Sequence, residues 1–294
     1  MSADAVPVGP RSRVVIAVAS LLGLVSVGWP FVVAPGRVGG GLVPPLMFGL
    51  LLVLVLAVVM AELADGGIDP KAVALIGVLS AVGAALRPLG AGTAGIETVF
   101  FMLVLAGRVY GPGFGFALGG TTIFASALIT GGVGPWMPYQ MFATAWVGMG
   151  AGLLPRATGR REVLLLATYG AIAAYAYGLA VNLSSWPFAV DPQSTIAYVP
   201  GAALSTNLVR YLAFDTTTSL GWDTGRAITT VVCILVVGRP VLATLRRAAR
   251  RAAFDAPVVF EPALSRLQLT LEQPPSEATR PPSRSATAKP RGAE

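Results

Sequence analysis

The chain has no histidine, one cysteine and only two lysines, Lys71 and Lys289. The missing histidine removes the commonest general base and any Ser-His or Cys-His nucleophile pair. With Cys233 alone in an apolar run, it also excludes a His/Cys metal site and a disulfide framework. Cys233 reads as buried packing with no redox role. Neither lysine follows a glycine-rich loop, so there is no Walker-type phosphate loop. Any ATP hydrolysis would belong to another chain, and no cofactor or metal is expected.

Charge is scarce as well. Only 12% of the 294 residues are charged against 54% hydrophobic, and the mean hydropathy is +0.72. That is too little charge for a soluble surface. The apolar residues come in runs near the roughly 20 needed to cross a bilayer. The expected class is therefore all-α, a polytopic helical membrane protein. The net charge of +7 comes from arginines clustered at segment ends and in the tail, without interleaved aromatics. This is the positive-inside bias of a membrane protein rather than a nucleic-acid footprint.

Eight apolar segments can be drawn: Val14 to Ala34, Leu42 to Leu63, Ala72 to Leu86, Thr98 to Gly107, Gly113 to Ile129, Met141 to Leu154, Val163 to Leu183, and Ala227 to Val237. The last extends to about Leu220 and Leu245 if its flanks join it. With eight crossings, Arg11 and Arg13, "RATGRR" (Arg156 to Arg161) and "RRAARR" (Arg246 to Arg251) fall on one side. That side is expected to be the cytoplasm of a plasma-membrane protein, with both termini inside. Residues 1–66 form an N-terminal segment with two spans, and 67–250 a membrane core. Residues 251–294, rich in Pro, Ser, Arg and Ala, are expected to be a disordered cytoplasmic tail.

"RVYGPGFGFALGG" (Arg108 to Gly120) interrupts this apolar pattern with an arginine, a proline and five glycines. Pro112 lacks an N–H and the glycines permit a tight reversal, so a turn between antiparallel spans is expected, with Arg108 snorkelling to water. Beyond the turn, Gly111, Gly115 and Gly119 share one helical face. Gly148 and Gly152 repeat the spacing, as do Ala81 and Ala85. Such stripes serve helix packing within the bundle or docking to a partner.

The stretch from Arg87 to Pro155 carries a short helix ending in "LAGRVYGP", a glycine-spaced helix, a loop with Pro and aromatics, and "QMFATAWVGMGAGLLP". This stretch resembles the substrate-binding (S) components of energy-coupling-factor (ECF) vitamin transporters. The resemblance implies a six-helix core, here preceded by two extra helices. It implies capture of a water-soluble vitamin from outside and no catalysis. It also implies docking on a transmembrane coupling protein that carries two cytoplasmic ATPase subunits. In that family an Ala-x-x-x-Ala face on the first core helix meets the coupling protein, which maps onto Ala81 and Ala85.

Three regions at the outer ends of the spans supply candidate pocket residues, since ligand pockets are mostly apolar with a few aimed polar groups. Arg87 and Glu97 either pair across their loop or hold a charged substrate. Trp136 and Tyr139 are either interfacial belt residues or pocket walls. Gln140 needs partners once desolvated. The third region holds Asn182, Trp186, Asn207, Arg210, Tyr211 and Asp215, where "YVPGAALSTNLVRYLAF" reads as an amphipathic helix, either a cap over the mouth or an interfacial helix. Asp215 and Asp223 are pocket residues or solvated loop acids.

Two other classes of function compete with vitamin capture. One is a membrane-embedded enzyme for a lipid or polyprenyl substrate. "ELADGGID" (Glu62 to Asp69) is its best sequence clue, although a solvated turn explains it. The other is a stand-alone secondary carrier, but no internal repeat and no acidic relay inside the spans is evident. The substrate is not readable; the long outer loop and added helices leave room for a cobalamin-type ligand, with thiamin, riboflavin and biotin open.

Overall fold

The structure, a computed structural model, describes residues 6, 9–32, 49–50, 52–53, 56–57, 60, 70–90 and 94–252. The expected second span (Leu42 to Leu63) lies largely outside the described residues. The "ELADGGID" stretch lies wholly outside them, as does the tail beyond Ala252.

The described residues are mostly helical, without strands. The elements are α1 (Pro10–Val27), a single turn α2 (Trp29–Val32), α3 (Pro70–Leu86), a 3₁₀ turn (Arg87–Gly90), α4 (Val99–Tyr110), α5 (Pro112–Thr130), α6 (Met137–Leu153), α7 (Gly159–Ala189), α8 (Leu204–Thr218) and α9 (Leu220–Ala252). Five of them are long and apolar enough to cross a membrane: α1, α3 with its 3₁₀ turn, α5, α7 and α9. Helices α4 and α6, at 12 and 17 residues, fall short of the roughly 20 needed for an untilted crossing. The last segment takes the longer of its two boundaries, a 33-residue helix around Pro240, and α7 runs on past Leu183 to Ala189.

Glycine explains the tightest packing. A Cβ on Gly115 would strike the carbonyl of Gly148, one on Gly148 would strike that of Gly115, and one on Gly119 would strike that of Thr144. On Gly152 it would lie 2.5 Å from the Pro112 nitrogen. Backbone therefore meets backbone along α5 and α6, and the Thr144 hydroxyl donates to the Gly119 carbonyl at 3.0 Å. Gly111 supplies the turn between α4 and α5 with φ of 101°. By contrast Gly77, Ala81 and Ala85, spaced by four on α3, are all exposed, and a Cβ on Gly77 would meet nothing.

Arg108 departs from expectation. It does not snorkel. Its Nε donates to Glu162 Oε1 at 2.9 Å and its Nη1 to the Leu154 carbonyl at 2.9 Å. Glu162, 2% exposed, also accepts from Arg246 Nη2 at 2.6 Å. It is therefore not a solvated loop acid, and one carboxylate ties α4, α7 and α9 together at the arginine-rich end.

Candidate functional site

The chain runs up α3, α5 and α7 and down α4, α6 and α9, so most of the polar residues flagged from sequence gather at the end that carries α8. They form three groups.

The first centres on Arg226, in the second turn of α9 and 7% exposed. Its Nε donates to Glu97 Oε2 at 2.8 Å, and its Nη1 to Asp223 and to the Ala174 carbonyl. The guanidinium lies 4.8 Å from the Tyr177 ring centre and 5.4 Å from that of Phe100. Those rings meet edge to face. Glycine makes this possible: a Cβ on Gly178 would strike the Asp223 carboxylate, and one on Gly225 the Ala94 carbonyl. Glu97 thus pairs with Arg226, not across its own loop with Arg87.

In the second group, Arg87 Nη2 donates to Gln140 Oε1 at 3.2 Å, and Nη1 reaches the Ser126 hydroxyl at 3.5 Å. Tyr139, beside Gln140 in the first turn of α6, is 1% exposed and belongs to the core. It is not an interfacial belt residue. Trp136 is 49% exposed.

The third group lies under α8. Asn207, Tyr211, Phe214 and Asp215 form its buried stripe, at helical spacing. Trp186, Tyr211 and Phe214 make a small core of their own. Trp186 Nε1 donates to the Ile196 carbonyl at 2.8 Å, the Tyr211 hydroxyl to the Leu179 carbonyl, and Asn182 Nδ2 to Asp215 Oδ1 at 2.7 Å. Burial, with Asp215 and Asp223 nearby, pushes the Tyr211 phenol well above its ordinary pKa. It stays a neutral donor. Meanwhile Leu204, Leu208, Val209 and Leu212 are exposed on the other side of α8. The helix packs against α7 and α9 with one face and presents an apolar face outward.

Asn207 acts as a clasp. Its Nδ2 donates to the Val199 carbonyl at 2.9 Å and its Oδ1 accepts from the Val199 N–H at 3.0 Å. Asn207→Ala leaves both groups without that partner and is expected to cost about 1 to 2 kcal/mol. The expected readout is faster proteolysis within residues 190–203, with the rest of the bundle intact.

A cleft of about 160 Å³ opens between α6 and α7, walled by Trp146, Tyr169, Ile172 and Tyr177. None of the sequence candidates lines it. Tyr177 joins it to the Arg226 group. Among the described residues there is no cluster of three or more His, Cys, Asp or Glu fit to hold a metal.

Sequence reasoning missed Arg226, Tyr177, Phe100 and Ser126. The signal for Arg226 was present: an Asp-x-x-Arg spacing at the head of the extended last span, where an ionisable residue inside a membrane helix marks a site by default. Comparison with protein-family models, curated proteins and solved structures finds no match.

Proposed function

We propose that this chain is the substrate-capture subunit of an ECF-type importer. In this reading the chain crosses the plasma membrane eight times, with both termini cytoplasmic. The α8 end faces outside and takes up a water-soluble vitamin or related small molecule. Helix α3 docks through Ala81 and Ala85 on a transmembrane coupling protein carrying two ATPase subunits. The chain itself catalyses nothing.

The observation that carries the reading is the arrangement at the α8 end. A buried arginine, two carboxylates and two aromatic rings sit at the ends of α4, α7 and α9, beside a helix that folds over those ends. Polar groups this costly to bury inside a membrane bundle serve a ligand or an ion pathway in most membrane proteins. The exposed small-residue face of α3 and the lack of a nucleotide loop agree with a partner-driven importer.

Protein purified from cells grown in rich medium should carry a stoichiometric small molecule identifiable by mass spectrometry. The same compound should raise the melting temperature of stripped protein. Gln140→Ala should lower its retention, since Arg87 loses a partner at the mouth. Ala81→Trp with Ala85→Trp should leave retention unchanged and abolish co-purification of the coupling protein. A chain that carries no small molecule and pulls down no coupling protein would refute the reading.

A stand-alone carrier is the second reading, favoured by one finding. Asp223 and Glu162 lie buried within long apolar helices, where sequence alone showed no acidic relay. Uptake into vesicles holding only this chain, driven by a pH gradient, would select it.

A further inference from the structure

We propose that the arginine-rich end of the bundle holds the headgroup of an anionic phospholipid, on Arg156, Arg160 and Arg161 with Arg250 beside them. The proposal needs only that the bundle is membrane-embedded; it stands apart from the transport reading.

Charge is the first reason. Glu162 is the one acid in the described part of this end, and it is already shared between Arg108 and Arg246. It leaves nothing for the others. Arg156, Arg160 and Arg161 are exposed on the loop and first turn that lead into α7, and none forms an ion pair with a described residue. Arg250 is exposed one helical turn beyond Arg246, on the same face of α9. Because Arg246 touches Glu162, that face meets the start of α7. Four exposed arginines without an ion pair to a described residue thus stand on the start of α7 and the end of α9 that meets it, and Arg is the side chain best shaped to grip phosphate by a fork.

Position is the second reason, and it selects a lipid over a soluble anion. The arginines stand where two long apolar helices end. Leu153 and Leu164, 67% and 59% exposed, flank them on the bundle side. A ligand with its phosphate on the arginines would lay its acyl chain on these leucines. A soluble phosphate has nothing to offer them.

The test is native mass spectrometry of the full chain from neutral-detergent micelles doped with equal amounts of phosphatidylglycerol and phosphatidylcholine. Phosphatidylglycerol adducts should outnumber phosphatidylcholine adducts by about tenfold or more. Each arginine near a charged lipid surface is worth about fivefold in affinity. The triple variant Arg156→Gln, Arg160→Gln, Arg161→Gln should therefore lose the preference, while its melting temperature in neutral detergent stays at the wild-type value. Equal adducts on the wild type would overturn the proposal, and so would a preference that survives in the triple variant. Displacement of phosphatidylglycerol by inorganic phosphate would mean a soluble anion is the ligand. If the triple variant keeps its lipid but loses a protein partner, the arginines belong to a protein interface instead.

Discussion

Replacing Gly148 by leucine is expected to leave almost no folded protein in detergent. The α5 and α6 backbones touch at this point: a Cβ at Gly148 already collides with the Gly115 carbonyl, with the Gly115 carbonyl carbon at 2.7 Å and its Cα at 3.1 Å. The obstacle is backbone on a helix that packs against both α3 and α4, so no rotamer change relieves it. Overpacking against side chains costs about 1 to 3 kcal/mol, and against unyielding backbone the cost lies at or above the top of that range. The Thr144 to Gly119 hydrogen bond, one turn away, would be pulled apart with it. Gly77→Leu is the matched comparison. It also adds a branched side chain to a mid-helix glycine, but its Cβ meets nothing within 4 Å. Removing a flexible glycine from an open helical site should raise stability by about 0.5 to 1 kcal/mol. Fluorescence-detected size exclusion and thermal unfolding of the pair would check both. A Gly148→Leu protein that unfolds near the wild-type temperature would show that α5 and α6 do not approach backbone to backbone.

Arg226→Gln is the second large effect. Glutamine keeps some length but leaves Glu97 and Asp223 facing each other without a cation, the latter 2% exposed. Removing one partner of a buried ion pair costs about 3 to 5 kcal/mol, because the remaining charge is stranded. The loss should be largely recovered by removing the stranded charge as well. Arg226→Gln combined with Asp223→Asn should unfold within a few degrees of wild type, since neutral amides replace the two most buried ions and the Glu97 side chain, 23% exposed, keeps contact with solvent. Arg226→Lys should fall between, because an ammonium cannot span Glu97, Asp223 and the Ala174 carbonyl as the fork does. Melting temperatures of the three variants decide it. If the single and double variants lose equal stability, Asp223 is not held by Arg226.

The variants separate architecture from function. Gly148 acts on the frame, whereas Arg226 sits where a ligand is proposed to bind. The Arg226→Gln, Asp223→Asn protein, folded but keeping only Glu97 of the three charges, is the natural reagent for asking whether the co-purified molecule depends on Arg226 and Asp223.

Much of the frame was legible in the chain, because hydropathy and glycine spacing are local properties. The apolar runs marked α3 and α5 to within two residues at each end, while α7 overruns its expected ends by four and six residues and α9 runs on past even the longer of its two readings. The four-residue glycine spacing marked faces on α5 and α6 open to close approach, since backbone approach requires the absence of a Cβ whichever helix is the partner, and the structure shows that the two faces meet each other. The run "YVPGAALSTNLVRYLAF" marked α8 as amphipathic. The turn at "RVYGPG" followed from proline and glycine alone.

Partner choice was not legible. Glu97 and Arg87 stand in one loop, and sequence proximity pairs them. The fold sends Glu97 to Arg226, 129 positions away, and Arg87 to Gln140. Arg108 was read as a snorkelling cation, and it is bound to Glu162, 54 positions away. Tyr139 sits at a helix start, where belt residues are common, yet the bundle closes over it. In each case composition and spacing state only the need of a buried polar group for a partner. Which group meets that need depends on distances across the bundle, and those exist only once α4, α6, α7 and α9 are packed. The chain by itself determined a helical, membrane-type protein whose glycines let two helices touch. Only the tertiary structure decided which of its charges meet: Arg226 with Glu97 and Asp223 at one end, and Glu162 with Arg108 and Arg246 at the other.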